Sequence, residues 1–160
     1  GPSPAVRVYS SQAEEVAAVG AWIADMCSHD FRPDEIAVFV RSEAQIDRAR
    51  QAVMASGQKV SVLNEHVRVE EGRIAICTMS LAKGLEFRSV VVMACDDEVL
   101  PLQSRIDNLA DDADLQDAYD TERHLLYVAC TRARDELLVS ATYPASEFLD
   151  DLSEPSGKKR

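Results

Sequence analysis

Short apolar runs alternate along this chain with segments whose apolar residues recur every three or four positions. The short runs are typical of strands, and the three- and four-residue spacing is typical of helices packed against a core. Six strands are predicted, at residues 6–9, 35–40, 59–63, 73–78, 89–95 and 136–141. Four helices are predicted, at residues 11–28, 43–56, 121–133 and 144–152.

Polar residues mark the ends of several predicted elements. Ser10 or Ser11 is predicted to cap the first helix, with Glu14 as the capping-box partner of Ser11, and Ser42 can cap the second. Residues 1–3 are expected to be the remnant of a cleaved purification tag, and the polar residues 153–160 are predicted to form a disordered tail. Residues 4–152 are therefore expected to form a single domain.

The alternation of strands and helices predicts an α/β fold with a mostly parallel sheet flanked by helices. The run at 35–40 is apolar without alternation, which is typical of a strand buried on both faces. Open parallel sheets bind ligands beyond the carboxyl ends of their strands. That rule directs attention to four loops, at residues 41–43, 78–87, 95–101 and 141–146.

The net charge of −11 is concentrated in one part of the chain. Ten acidic residues lie between Asp96 and Glu122, against a single basic residue, Arg105. Residues 96–120 are therefore predicted to form a long acidic loop, either solvated and mobile or a site for a partner protein. An acidic chain is a poor nucleic-acid binder on its own, because affinity for phosphates comes mainly from Lys and Arg.

The cysteine spacing and the lengths of the apolar runs exclude other classes. The four cysteines include no CxxC pair, which argues against a zinc site and favours buried, reduced thiols. Reduced thiols are typical of a cytoplasmic protein. No apolar run approaches 18 residues, so no membrane partner is expected.

Three segments carry candidate chemistry, although the phosphate-binding patterns GxxxxGK[ST] and GxGxxG are both absent. Arg41 directly follows a predicted strand, where spacing alone favours a solvated strand terminus over a ligand contact. Residues 78–87 could contact a nucleotide or form a turn with a local Lys83–Glu86 pair. The third segment, 122–134, could present Arg132 to a ligand or be a core helix with two surface arginines.

Together these segments resemble the second RecA-like motor domain, 2A, of UvrD/Rep/PcrA-type superfamily 1 DNA helicases. Residues 35–50 (EIAVFVRSEAQIDRAR) resemble helicase motif IV, residues 78–87 (TMSLAKGLEF) motif V, and residues 121–138 (TERHLLYVACTRARDELL) motif VI. The resemblance implies a RecA-like fold of the P-loop NTPase type that lacks its own P-loop. Only residues 64–72 separate the predicted strands where larger members insert a subdomain, so the chain resembles a compact form without the 2B insertion.

The resemblance also implies a role for individual residues. Arg41 and Arg132 match arginines that reach the γ-phosphate of ATP, and Lys83, Gly84 and Glu86 match a nucleotide-binding loop whose glutamate bonds the ribose. Thr78 and Ser80 match a contact with single-stranded DNA, although Ser80 stands where a histidine is common. Val40 stands where an aromatic residue often stacks on adenine. ATP and its Mg²⁺ would be bound mainly by an N-terminal RecA-like domain of the same protein, with no metal bound by this chain.

Two functions follow from these observations. The first is the C-terminal motor half of an ATP-dependent DNA helicase or translocase, inactive as an isolated chain because it has no phosphate loop. The second is a helicase-like interaction module whose catalysis has lapsed and whose acidic residues 96–120 recruit a basic partner. Intact Arg41, Glu86 and Arg132 favour the first function.

Overall fold

A computed structural model describes residues 1–66 and 68–152, and within them six strands form one parallel sheet. The strand order is β1-β6-β5-β2-β4-β3, and every neighbouring pair runs parallel. The strands are β1 (Ala5–Tyr9), β2 (Ile36–Val40), β3 (Lys59–Val62), β4 (Arg73–Thr78), β5 (Phe87–Val92) and β6 (Ala133–Thr142). The predicted α/β fold with a parallel sheet is confirmed, and the predicted tail at 153–160 lies outside the described residues.

Helices cover both faces of this sheet. They are α1 (Gln12–Cys27), α2 (Ile46–Ala55), α3 (Gln103–Ile106) and α4 (Asp112–Cys130), with 3₁₀ turns at Pro33–Glu35, Glu43–Gln45, Met79–Leu81 and Glu147–Leu149. The second predicted helix is therefore split into a 3₁₀ turn and α2, and the last predicted helix includes a 3₁₀ turn. No described helix is long and apolar enough to span a membrane.

Alternation along the strands divides the apolar core between the two faces. Val38 of β2 packs with Ile23 and Val53 in the layer under α1 and α2. Its neighbour Phe39 points to the opposite face and packs with Leu126 of α4. Because β2 lies in the middle of the sheet and is buried on both faces, every one of its residues is apolar, as predicted.

The acidic residues 96–120 form the predicted loop only in part, because residues 112–120 belong to a helix. Helix α4 begins at Asp112, nine residues before the predicted start, and the Asp111 carboxylate caps it by accepting a hydrogen bond from the Ala113 N–H. Asp96 and Glu122, the first and last of the ten acidic residues counted above, are buried and paired with arginines. The prediction failed because charge density alone cannot distinguish a solvated loop from a helix with an acidic first turn, which the helix dipole favours.

The link between β3 and β4 is short, as expected for a compact form without an inserted subdomain. Ten residues, 63–72, separate the two strands. Gly72 has a φ of +78° and donates its N–H to Asp34 at 3.0 Å, which anchors the end of the link beside the start of β2. The sheet therefore continues directly from β3 to β4.

Candidate functional site

The predicted site residues lie at two opposite edges of the sheet. Because β4 and β5 run parallel, the eight residues between them must cross from the carboxyl edge back to the amino edge. Thr78 and Ser80 lie at the carboxyl edge where β4 ends, whereas Glu86 directly precedes β5 at the amino edge. The two ends of the 78–87 segment, treated as one loop in the sequence, therefore face different surroundings.

At the amino edge, Arg132 is held by neutral oxygen atoms from two segments. Its Nε donates to the Val128 carbonyl at 3.1 Å, and its Nη1 donates to the Leu85 carbonyl, also at 3.1 Å. Its own carbonyl accepts the Phe87 N–H at 2.9 Å. These bonds fix the guanidinium between the end of α4 and the loop that precedes β5.

The charge of Arg132 is not compensated by any carboxylate among residues 1–66 and 68–152. Its remaining guanidinium bond goes from Nη2 to the Thr131 hydroxyl at 3.2 Å, again a neutral acceptor. Half-buried cations without an anionic partner are costly unless an anion completes the site. The arrangement therefore suits binding of an external anion such as a phosphate.

The loop beside Arg132 is open to solvent. Lys83, Gly84 and Glu86 are all exposed, and Gly84 has a φ of +86°, a conformation that favours glycine. A Cβ added at Gly84 would meet nothing within 4 Å, so the glycine serves the turn here and not a close contact within the chain. The alternative Lys83–Glu86 ion pair is not formed in the part of the chain that the structure describes.

At the carboxyl edge, Thr78 and Ser80 line an open cavity of about 650 Å³. Their hydroxyl oxygens are 3.4 Å apart, and the cavity extends along β3 to Leu63 and Asn64. Glu43 and Glu65 also line it, so its charge does not by itself attract phosphates.

Arg41 lies at this carboxyl edge too, but its guanidinium is directed inward. Nε and Nη2 of Arg41 donate to the two carboxylate oxygens of Glu122 at 2.8 and 2.7 Å, and the arginine is only 6% exposed. Glu122 is fully buried and also accepts the Leu102 N–H at 2.8 Å and the Arg105 Nε at 2.9 Å. Burial alone would raise the pKa of Glu122, but these hydrogen bonds and the two arginine charges outweigh it and lower the pKa.

The structure does not bring Arg41 and Arg132 together. Arg41 reaches the middle of α4 at Glu122, whereas Arg132 lies just beyond the end of that helix. Glu122 and Val128, whose carbonyl binds Arg132, are six residues apart in α4, which is about 9 Å at 1.5 Å per residue. The phosphate-binding role implied for each arginine stays a prediction.

A second buried ion cluster, which sequence reasoning missed, joins α1, α2 and the end of β5. Arg48 donates from Nε to Glu15 at 2.8 Å and from Nη1 and Nη2 to Asp96 at 2.8 and 3.0 Å. Glu15 also accepts the Ala94 N–H at 2.9 Å and the Ser140 hydroxyl at 2.7 Å. Every charge in the cluster has a partner, so it is suited to holding the two helices on the sheet.

A sequence signal for both buried carboxylates did exist. Glu15 lies four and eight residues before the core residues Val19 and Ile23, and Glu122 lies four residues before Leu126. An acidic residue at a core-facing helical position is buried and needs a cationic partner.

His124 is exposed and stacks on Tyr127, with 6.4 Å between the ring centroids. The described residues contain no group of three or more His, Cys, Asp or Glu that could hold a metal ion.

Comparison with known proteins identifies relatives over these same segments. Residues 58–143 match a family described as the UvrD-like helicase C-terminal domain. ATP-dependent DNA helicase UvrD1 of Mycobacterium leprae is 32% identical over 110 residues, which is 67% of this chain and 13% of that protein. ATP-dependent DNA helicase Rep of Buchnera aphidicola (subsp. Acyrthosiphon pisum) is 30% identical over 82 residues, 51% of this chain and 12% of Rep. The chain thus matches only about an eighth of the length of these relatives.

A solved structure has the same fold. It is the C-terminal domain of a possible DNA helicase from Lactobacillus plantarum WCFS1, with a TM-score of 0.68 and 26% identity. The match covers 95% of this chain and 81% of the other. The resemblance to helicase motor domains and the RecA-like parallel sheet are thereby confirmed.

Proposed function

Because the chain belongs to the family of UvrD-like helicase C-terminal domains, we propose that it forms the C-terminal motor half of an ATP-dependent DNA helicase or translocase. The names of the relatives support this activity, since both UvrD1 and Rep are ATP-dependent DNA helicases. The chain matches a small part of each, so the activity would belong to a longer protein. An N-terminal RecA-like domain of that protein would bind ATP and Mg²⁺.

The observation that carries the proposal is the uncompensated charge of Arg132. At the amino edge of the sheet, Arg132 lies beside the exposed loop that contains Lys83, Gly84 and Glu86. ATP bound to the partner domain would place its γ-phosphate at the guanidinium and its ribose at Glu86. Gly84 leaves the backbone of the loop open to a close approach, and Lys83 adds a positive charge beside it.

The physical basis is the stabilisation of charge during phosphoryl transfer. The transferred phosphoryl group spreads negative charge over its oxygens, and an arginine supplied from outside the phosphate loop is worth about 10³–10⁵ in rate. Because Arg132 would come from a different domain, its contribution would depend on closure of the cleft between the domains. ATP binding and hydrolysis would in this way be linked to domain motion.

The proposal assigns the γ-phosphate contact to Arg132 and not to Arg41. The Arg41 guanidinium is neutralised by Glu122, and freeing it would leave a buried carboxylate without its main partner. Single-stranded DNA would pass the carboxyl edge, where the Thr78 and Ser80 hydroxyls can donate hydrogen bonds to its phosphates. That contact would be uncharged, so most of the affinity for DNA would come from other parts of the protein.

The test is steady-state ATP hydrolysis by the complete helicase with saturating single-stranded DNA. We expect Arg132→Ala to lower kcat by about 10³-fold, equivalent to about 4 kcal/mol of transition-state stabilisation. Arg132→Lys should lose nearly as much, because a point charge lacks the bidentate guanidinium fork. Thermal melts of the same variants should change little.

Arg134→Ala is the matched control. Arg134 is exposed, lies two residues further on in β6, and has only a 3.7 Å contact with Asp135. Its removal should leave kcat nearly unchanged. Equal losses for Arg132→Ala and Arg134→Ala, or near-full activity in Arg132→Ala, would contradict the proposed role.

A further inference from the structure

The carboxylate of Glu122 joins three segments that meet at the carboxyl edge. It accepts hydrogen bonds from Nε and Nη2 of Arg41, which follows β2. It also accepts the Leu102 N–H and contacts the Arg105 Nε. The glutamate itself is in the middle of α4 and is fully buried. One side chain therefore fixes α4 relative to the central strand and to residues 102–105.

These bonds add something that the apolar packing of α4 cannot supply. Leu126, Ala129 and Cys130 bury one side of the helix against the sheet, but hydrophobic contact is non-directional and tolerates small axial shifts. A bidentate arginine–carboxylate pair is directional, because two parallel hydrogen bonds set both distance and angle. Glu122 therefore adds a directional contact that helps to set the position of α4 along its own axis.

The same helix determines where Arg132 lies. Arg132 Nε is bonded to the carbonyl of Val128 in the last turn of α4, so a shift of the helix would carry the guanidinium with it. The second anchor, the Leu85 carbonyl, belongs to the loop and would not move with the helix. A small axial shift of α4 would therefore displace Arg132 from the position set by both anchors.

We propose that Glu122, through its pair with Arg41, is a positioning residue that sets the placement of Arg132 for ATP hydrolysis. This inference rests on the proposed function, since it gives Glu122 no contact with ATP. It also gives Arg41 a role at a distance from the phosphate, as the partner that fixes the glutamate. Misplacement of a reacting group by about 1 Å can cost about 10²-fold in rate.

The experiment measures kcat and KM for ATP in the complete helicase with saturating single-stranded DNA. We expect Glu122→Gln to lower kcat by about 10- to 100-fold while KM for ATP changes by less than about threefold. The substitution keeps the side-chain shape and removes the charge that binds the arginines. Arg41→Lys, which keeps the charge but loses the fork, should lower kcat by a smaller factor in the same direction.

Glu15→Gln is the matched control because Glu15 is the other fully buried glutamate paired with an arginine. It belongs to α1, on the opposite face of the sheet from α4, and its bonds go to Arg48, Ala94 and Ser140 and not to α4. We expect it to lower the melting temperature as much as Glu122→Gln does, yet to leave kcat of the folded enzyme within about twofold. An equal loss of kcat in Glu15→Gln would overturn the proposal, because the effect would then be one of general stability.

A double-mutant cycle with Arg132→Ala decides whether Glu122 acts through that arginine. If it does, Glu122→Gln should lower kcat by less than about twofold further once Arg132 is absent. A full additional loss would overturn the proposal. If Arg132→Ala lowers kcat while Glu122→Gln and Arg41→Lys do not, only this inference fails; if Arg132→Ala has no effect, the proposed function fails as well. Should Glu122→Gln not fold, the same cycle with Arg41→Lys gives the decision.

Discussion

Arg41, Arg48 and Arg132 differ in how their charges are balanced. Arg41 is bound by Glu122 and Arg48 by Glu15 and Asp96, and both arginines are only 6% exposed. Arg132 is half-buried and bonds only to neutral oxygens among the described residues. Burial of a cation requires compensation within the protein, so the uncompensated arginine is the one suited to an external phosphate.

The pairing of Glu122 predicts a specific dependence of stability on pH. Because the hydrogen bonds and charges of its arginine partners lower its pKa in the folded state, the ionised form stabilises the fold at any pH above the unfolded value of about 4.3. That contribution is lost as the pH falls through the lower, folded pKa. At pH 7, Glu122→Gln should cost about 3–5 kcal/mol of unfolding free energy, since it breaks a buried ion pair.

Chemical denaturation of the 160-residue chain between about pH 7 and pH 3 measures this effect. The difference in unfolding free energy between the wild type and Glu122→Gln should shrink below about pH 4, where the unfolded glutamate becomes protonated. Exposed Glu98→Gln should differ from the wild type by less than about 0.5 kcal/mol throughout. A difference for Glu122→Gln that is constant across this range would mean that the charge of the carboxylate does not stabilise the fold.

At the scale of residues, the sequence identified the candidate nucleotide-binding residues but not the ion pairs that the buried arginines form. The strings that contain Gly84, Glu86 and Arg132 are distinctive as local motifs. The pairing of Arg41 with Glu122 joins residues 81 positions apart, and no local pattern specifies it. The presence of Glu15 and Glu122 on core-facing helical positions was a usable signal that a buried cation was needed.

At the scale of elements, apolar patterning located most strands within a few residues, whereas polar segments were less predictable. β5 is found at Phe87–Val92 and not at 89–95, because Ala94 adopts a φ of +62°, outside strand geometry. Residues 112–120 lacked a long apolar stripe, so α4 was predicted to begin nine residues late. The alternative function, a module that recruits partners through its acidic residues, stays a prediction, and Asp112–Cys130 would present part of that acidic surface on a helix.

Helix capping offers a prediction at this scale, since only one of two predicted caps forms a side-chain bond. The Ser11 hydroxyl accepts the Glu14 N–H at 3.1 Å at the start of α1. The Glu14 carboxylate binds the Ser10 N–H and hydroxyl, not Ser11, so the predicted capping box is shifted by one residue. Ser11→Ala should therefore lower the unfolding free energy by about 1 kcal/mol.

Ser42→Ala is the control for this substitution. Ser42 stands at the N-cap of the Glu43–Gln45 turn, but its side chain makes no capping bond. Its replacement should cost less than about 0.5 kcal/mol, as measured by denaturant unfolding of both variants under the same conditions. Equal losses in the two variants would show that the Ser11 hydroxyl does not contribute through its capping bond.

At the scale of the whole molecule, the topology separates the two sets of candidate residues. The sequence places Thr78, Ser80, Gly84 and Glu86 within nine positions, yet the parallel arrangement of β4 and β5 sends the two pairs to opposite edges. The rule that ligands bind at carboxyl ends of strands pointed to residues 78–87, but the proposed nucleotide contacts lie at the amino-edge end of that segment. Strand order, which local patterns do not specify, determines this separation.

The absence of a phosphate loop predicts that the 160-residue chain alone does not hydrolyse ATP. Its sequence contains no GxxxxGK[ST] loop, so nothing in it provides the nest of backbone N–H groups that holds the β- and γ-phosphates. Arg132 and the loop at 83–86 can supply only the contacts made from the far side of the cleft. We expect no DNA-stimulated turnover above a buffer control in a steady-state phosphate-release assay.

Restoring the missing half provides the positive control for that result. When the N-terminal RecA-like domain of the same helicase is added as a separate chain, DNA-stimulated hydrolysis should appear, and it should be lower by about 10³-fold with an Arg132→Ala chain. Arg134→Ala should restore hydrolysis as well as the wild type does. ATP turnover by the pure 160-residue chain that disappeared in Arg132→Ala would contradict this assignment of roles to two domains. It would mean that this chain alone both binds the triphosphate and stabilises its transition state.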